Sequence, residues 1–406
     1  MKIYKPTTLL LAVLFISLPA ISCTTAIISG KYTPDGRPVL WKHRDTDHLN
    51  NRLVYFEDGT YPYIGLVNSD DLQGTMVWAG TNRAGFAIMN AALYDVNLDD
   101  TSEIEGREGY VMKQALQQCA TLADFEQMLR DMDKPLGVAS SFGVMDAQGG
   151  AAYYEVDNHD FVKYDVNDSK LAPHGYIIRT NFSYRGKKDQ GHGYIRYQNA
   201  SDLFDMADAA GGLDVGTILQ EFSRSTYHSL LNKDYEKVAL QSDRHPHFIH
   251  AGDMIIRHSS ASAVVIHGVK EGESPEFTTM WTLLGYPMTT VACPLWVEGG
   301  GSLPDLLTGN DLGKAPLCEK ALQLKKRVFP IERGSGPDYM NLTALYNSSH
   351  TGITQQLRPV EDQIMKTTGE KLSLWRRQGI DRKKIQDHYQ WLDNHLSMHY
   401  ERLFGL

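Results

Sequence analysis

Residues 23–94 constrain the fold more than any other stretch, because they form a succession of short β-rich runs separated by tight-turn signals. "TTAIIS" is rich in β-branched residues, "KYTPDGRP" carries the Pro, Asp and Gly of a turn, and "VLWKHRD" resumes as a second run. "MVWAG", "TNRAG" and "FAIMNAALY" then read as strand, turn and strand. Runs of this length, punctuated by Gly, Pro and Asn, predict antiparallel hairpins. Asn82 is expected as a turn residue, since asparagine tolerates the left-handed backbone of tight turns.

Further on the period changes. Apolar residues at helical spacing over 107–132 predict two helices broken near Thr121, where "TLAD" supplies a cap. "SSFGVMDAQGGAAYYEVD" and "FVKYDV" return to strand character around a turn at 146–150. Residues 201–222 read as helix, "SSASAVVIHGV" and "TTMWTLLG" as strands, and the residues beyond about 354 as charged amphipathic helices. Runs of strands and helices without a strict βαβ rhythm predict an α+β fold in which antiparallel sheets are covered by helices. One compact domain over 23–354 is expected, with a helical extension over 355–406 packed on it.

Residues 1–22 read as an export signal. Lys2 and Lys5 form a charged start, and the apolar run over 9–18 is too short to span a bilayer. Ala20 and Ser22 place small residues three and one positions before Cys23, as a signal peptidase requires. Cleavage there makes Cys23 the first residue of an exported chain, periplasmic or extracellular, with a free amino group. The other fate is lipidation, in which the thiol and the amine are acylated and the protein sits at a membrane surface. Lipoprotein leaders end in Leu, two small residues and Cys, and Ala20 and Ile21 depart from that pattern. Both fates stay open on the leader alone.

Composition narrows the function classes. A net charge of −9, more negative once Lys2 and Lys5 are removed, argues against nucleic acid or an anionic membrane surface as partner. A small or neutral substrate fits better. The cysteines at 23, 119, 293 and 318 are too few and scattered for a disulfide framework and lack zinc-site spacing. With Cys23 set apart, at most one bridge can form, Cys293 with Cys318 being one candidate, while Cys119 on a helical face reads as a small buried hydrophobe. The histidines show no HExxH spacing, so His43, His48, His245, His247 and His250 read as surface or loop residues. No metal or cofactor is called for.

A cysteine that begins a chain carries its own base. Its α-amino group, with an ordinary pKa of about 7.7–8.0, accepts a proton near neutral pH, and the sulfur is a strong nucleophile toward a carbonyl. Such a site needs a cation near the sulfur, a carboxylate for the ammonium, and donors for an oxyanion. In "WKHRDTD", Arg44 and Asp47 offer the first two.

Cys-Thr at 23–24, the "PDGRP" turn and the Arg-x-x-Asp run together resemble the N-terminal nucleophile (Ntn) hydrolases of the choloylglycine hydrolase and penicillin V acylase group. They are similar also to its isopenicillin N acyltransferase-like relatives, the linear amide C–N hydrolases. The resemblance implies a four-layer αββα sandwich and hydrolysis of a small-molecule amide through an acyl-enzyme, with acyl transfer where an amine replaces water. It implies Cys23 as nucleophile, Arg44 against the thiol and Asp47 on the α-amino group. "GTNRAGFAIMNAALY" matches the family segment whose second asparagine, Asn90, donates to the oxyanion, and "GYIIRTNFS" gives Asn181 a further polar contact. The family's second arginine has two candidates, Arg224 in "EFSRST" and Arg257 in "IIRHSSASAVVIHG". Two departures stand out: the spacing from Cys23 to Arg44 exceeds that of the bile-salt enzymes, and Asp45 replaces their usual asparagine. Residues 355–406 have no family counterpart and leave a homo-oligomer open. Two alternatives remain: a related cysteine dipeptidase, which also starts Cys-Thr-Thr, and a non-catalytic lipoprotein tethered through Cys23.

Overall fold

The computed structural model describes residues 22–211, 213–242 and 245–406, so the expected leader lies outside the described residues apart from Ser22. The hairpin-rich start folds as its pattern requires. β1 (Thr24–Ile28) pairs antiparallel with β2 (Val39–Asp45), Thr24 opposite His43 and Ile28 opposite Val39. These two strands lie inside a six-stranded sheet. β10 (Tyr176–Arg179) flanks β1, β14 (Ser260–His267) flanks β2, and β15 (Thr279–Leu284) and β16 (Ala292–Leu295) follow.

The second sheet is a meander of β3 (Asn51–Phe56), β4 (Tyr63–Asn68), β5 (Ala79–Asn82), β6 (Ala87–Ala92), β7 (Ser140–Met145), β8 (Ala151–Val156) and β9 (Phe161–Asp165), neighbours in space in sequence order. Two short pairs lie outside the sheets: β11 (Tyr227–His228) with β12 (Lys233–Asp234), and β13 (Phe248–His250) with β17 (Tyr339–Asn341).

Strand alternation sets the layers. Thr25 on β1 meets the Tyr153 hydroxyl of β8 at 3.0 Å, so that face of the first sheet packs on the second. Trp41 on β2 points the other way, donating from Nε1 to Ser223 and packing against Phe204 and Phe222. β1 and β2 accordingly touch β6 and β7. The outer face of the second sheet is covered by α1 (Glu108–Gln118) and α2 (Leu122–Asp131), whose Phe125 packs edge-on against Phe142 and Tyr154. The first sheet is covered by α3 (Tyr194–Ala209), α4 (Val215–Gln220), α6 (Pro316–Val328) and α7 (Ile353–Gln378), with α8 (Arg382–Phe404) packed on α7 and α5 (Tyr235–Leu240) beside the small β11–β12 pair. The result is the α+β, four-layer αββα architecture. Trp41 and Phe125 are completely buried, and each such side chain contributes about 1.5–3 kcal/mol.

α2 begins where expected. Thr121 Oγ1 accepts from the Asp124 N–H and the Asp124 carboxylate accepts from the Thr121 N–H, a reciprocal cap that contributes about 1 kcal/mol. The helix expected over 201–222 is two helices instead. α3 ends at Ala209, and Asp214 accepts from the Thr217 N–H to start α4 afresh, a local bond that competes with a continuous helix. Asn82 makes its turn differently from the expectation: Gly85 adopts the left-handed backbone (φ 78°), while Asn82 Oδ1 accepts from the Ala84 and Phe86 N–H groups. Cys119, Cys293 and Cys318 are buried free thiols, so the candidate bridge is not formed.

Candidate active site

Cys23 heads β1, one residue beyond the Thr24–His43 pair, and the register therefore sets it beside Arg44. It is 4% exposed and lines a cavity of about 940 Å³ walled from both sheets. Lys42, Arg44, Trp78, Asn90 and Tyr94 share that cavity.

Lys42 and Arg44 reach it because alternate residues of β2 share a face. The β5–β6 ladder ends at the Ala79–Met89 pair, which leaves the Trp78 carbonyl and the Asn90 side chain beyond the last paired residues. Lys42 Nζ crosses from the first sheet and donates to both, at 2.7 and 2.6 Å. Asn90 Oδ1 is thereby occupied, and its amide group donates to Ser140 Oγ at 3.0 Å. Arg44 donates to Asn51 Oδ1 and, at 2.8 Å, to Asn68 Oδ1, with its guanidinium 5.0 Å from the Trp78 ring centre. Burial pushes Lys42 down to about 8 and Arg44 to about 10, with the Cys23 sulfur pulling the other way, so both stay charged at neutral pH. Among the described residues their hydrogen-bond acceptors are neutral. Buried cations without a bonded carboxylate are costly, and an anionic oxygen brought into this cavity would meet them in a low-dielectric setting.

The opposite face of β2 carries the carboxylate. Asp45 is fully buried; its Oδ1 accepts from Ser260 Oγ at 2.7 Å and its Oδ2 from Arg257 Nη2 at 2.6 Å. The same Arg257 nitrogen donates to the Ser22 carbonyl at 2.9 Å, placing the pair next to the Ser22–Cys23 bond. His43 lies 2.8 Å from Ser260 Oγ and is buried, not at the surface as expected; burial pushes its imidazole down to about 4, hence neutral. Arg196 on α3 donates to the Cys23 carbonyl at 2.7 Å, to Thr24 Oγ1 at 3.0 Å and to Asn181 Oδ1 at 2.7 Å. Asn181 Nδ2 in turn donates to the Ala92 carbonyl at 2.8 Å.

The structure thus brings Cys23, Arg44 and Asn90 to one cavity and sets Asn181 and Arg257 behind the Cys23 backbone. Asp47 it does not bring there: β2 ends at Asp45, and Asp47 is exposed, with its carboxylate 3.4 Å from the Thr46 hydroxyl. Arg224 is also elsewhere, paired with Glu361 of α7 at 2.6 Å. Lys42, Asp45 and Arg196 were not singled out from the sequence. "WKHRDTD" contains two cation-x-x-Asp pairs, Lys42 with Asp45 and Arg44 with Asp47, so a signal for the first two exists; for Arg196, on a helix, there is none. Among the described residues no cluster of His, Cys, Asp and Glu is arranged to hold a metal ion.

Two stacked antiparallel sheets between helical layers, with the head of an inner strand opening on a cavity, are the architecture of the Ntn-hydrolases. Residues 34–235 match the family model described as acyl-coenzyme A:6-aminopenicillanic acid acyl-transferase, and the chain belongs to this family of amide-hydrolysing or acyl-transferring enzymes. Among solved structures, the chain is similar to an N-acylethanolamine-hydrolyzing acid amidase ortholog from Caenorhabditis elegans, with 14% identity, 62% of this chain and 93% of that one covered, and a TM-score of 0.40. It is similar to a point mutant of the conjugated bile acid hydrolase from Clostridium perfringens, with 12% identity, 68% and 92% covered, and a TM-score of 0.40. Penicillin V acylase from Agrobacterium tumefaciens gives 12% identity, 68% and 86% covered, and a TM-score of 0.37. At those values the likeness adds nothing to the fold described above. Among curated proteins none matches.

Proposed function

We propose that the protein is an exported cysteine hydrolase of linear amides, activated by removal of residues 1–22. The observation that carries this reading is the position of Cys23, at the head of β1, buried in a cavity with Lys42, Arg44 and Asn90. Removal of the leader frees the Cys23 amine, which takes the thiol proton as the sulfur attacks the substrate carbonyl. Lys42, Arg44 and the Asn90 amide face the resulting oxyanion. The carbon–nitrogen bond then breaks, the ammonium returns its proton to the departing amine, and a thioester remains on sulfur. Water, deprotonated by the same amine, releases the acid and restores the thiol; an amine entering instead gives acyl transfer. Apolar wall residues Met76, Trp78, Leu93, Ile104 and Val138 suit an acyl chain. Carboxylates of Asp70, Asp71, Asp100, Glu105 and Glu108 at the same cavity favour neutral or cationic amides over anionic ones.

Mass spectrometry of the exported protein tests the reading, together with turnover of neutral acyl amides, penicillin V, conjugated bile salts and dipeptides. Mature protein beginning at unmodified Cys23 and cleaving the acyl amides is the expected result. A diacylglyceryl adduct on Cys23, or a retained leader on fully active protein, overturns it, and preferential dipeptide hydrolysis redirects it to the dipeptidase alternative. The carboxylate that orients the amine is Asp45 in this reading, because Arg257 bridges it to the bond being cut. Asp45→Asn is expected to lower kcat at least about 10²-fold, the scale of a small misplacement of reacting groups, while Asp47→Asn stays near wild type. Steady-state kinetics of the two variants, side by side, decide between them.

A further inference from the structure

Arg196 is 2% exposed, and among the described residues its three hydrogen-bond acceptors are the Cys23 carbonyl, Thr24 Oγ1 and Asn181 Oδ1. All three are neutral. Arg257, by contrast, has its charge answered by Asp45 at 2.6 Å. A buried guanidinium without a carboxylate partner destabilises a fold, so its retention calls for another use of the charge. Burial, followed by the neighbouring charge of Arg257, pushes Arg196 down to about 9, still a cation at neutral pH.

What that charge faces is the backbone of Cys23. The charged and titratable groups about Cys23 are Lys42, His43, Arg44 and Asp45 from β2, Arg257 from the segment before β14, Arg196 from α3 and Tyr94 from the segment after β6, with Lys325 of α6 acting on Asp45, Asp47 and Asp70 acting on Arg44, and Glu108 acting on Tyr94. His43 is neutral, and the Asp45 charge is met by Arg257. Asp47 and Asp70 are exposed to solvent, which screens them, whereas Lys42, Arg44 and Arg196 are buried beside Cys23, and Arg196 is the one bonded to its carbonyl. Resting on the reading of Cys23 as the mature first residue, we propose that Arg196 is a positioning residue with two tasks: it fixes the Cys23 backbone, and its unanswered charge keeps the freed amine in its uncharged, proton-accepting form. The first task has a visible path. Asn181 joins Arg196 to the Ala92 carbonyl, two residues after Asn90, so one guanidinium ties the nucleophile's strand to the strand that presents the oxyanion donor.

The sign follows from electrostatics: a nearby cation disfavours an ammonium, so the amine's pKa falls, and removing the cation raises it. The acid limb of kcat/KM against pH reports that base in the free enzyme. Mature protein labelled with ¹⁵N-cysteine carries one free α-amine, at Cys23, whose ¹⁵N shift titrates independently of activity. In wild type it is expected to titrate below the ordinary value of about 7.7–8.0. In Arg196→Met the titration and the acid limb should both move up by about one pH unit. In Arg196→Lys, which keeps the charge and loses the fork, they should stay within about 0.3 of wild type while kcat falls with KM unchanged. A wild-type amine titrating at or above the ordinary value overturns the proposal even if neither variant folds. So does an Arg196→Met enzyme whose limb and ¹⁵N titration do not move. Absence of any free-amine signal in the wild type overturns the reading of Cys23 itself.

Discussion

Replacing Cys23 with alanine is expected to lower turnover of the preferred amide by about 10⁴- to 10⁶-fold, the scale of deleting a covalent nucleophile. Cys23→Ser should fall almost as far, because the hydroxyl is much the weaker nucleophile. The fold should be indifferent. The side chain is small, β1 holds its place through its pairing with β2 and β10, and no disulfide is lost. Loss of activity with unchanged circular dichroism and unchanged unfolding midpoint therefore isolates chemistry from structure. Rapid quench of wild type with excess substrate should give a mass increase equal to one acyl group on the amino-terminal peptide, and Cys23→Ala none. Undiminished activity in Cys23→Ala would remove the nucleophile, and with it the reason for a free amine at that position. The buried alternatives do not compete: burial pushes the Cys119 thiol up to about 12 and Cys318 to about 11, values that suit packing, not attack.

How far the sequence could be read depended on how local the determining physics was. β1, β2 and the β5–β6 hairpin were legible because β-branched runs and turn residues act within a few positions. The two helices after Glu108 were legible because Thr121 and Asp124 cap each other three residues apart. The break between α3 and α4 was not, since nothing in the apolar period marks where Asp214 captures a backbone N–H. Motif resemblance led to Cys23, Arg44 and Asn90, which line one cavity, but which aspartate of "WKHRDTD" is buried depends on where β2 stops pairing. Ser260 pairs with Asp45 across a bulge in β14, and that pairing buries Asp45 while Asp47 runs out into solvent. Lys42 needs the end of a ladder in the other sheet to find its acceptors, and Arg196 needs a helix placed by packing. Neither condition is written in neighbouring residues.

Arg224 carries the other large expected effect, on stability instead of chemistry. Its guanidinium forks onto Glu361, Nη1 to Oε1 at 2.8 Å and Nη2 to Oε2 at 2.6 Å, and also donates to the carbonyls of Pro287 and Thr290. Glu361 Oε2 accepts from the Ala292 N–H at 2.7 Å, so the pair joins the segment after α4, the start of β16 and the helix α7. Removing one member leaves a buried charge without its partner. Glu361→Gln is expected to lower the unfolding free energy by about 3–5 kcal/mol, and Arg224→Met by a similar amount, whereas the double replacement Arg224→Met with Glu361→Leu should recover most of the loss. Urea titrations of the four proteins close that cycle. The folded fraction should keep its kcat, because neither residue lines the cavity. Acid behaviour gives an independent reading: burial alone would raise the Glu361 carboxyl, but Arg224 overrides it and holds the pKa below the ordinary carboxylate range. A depressed folded-state pKa contributes stability that is fully present above the unfolded value, about 4.3, and is lost as pH falls through the folded one. That acid-side component should be missing from Glu361→Gln. If the single variants unfold at the wild-type urea midpoint, α7 is held by its apolar face alone and the ion pair is incidental to its docking.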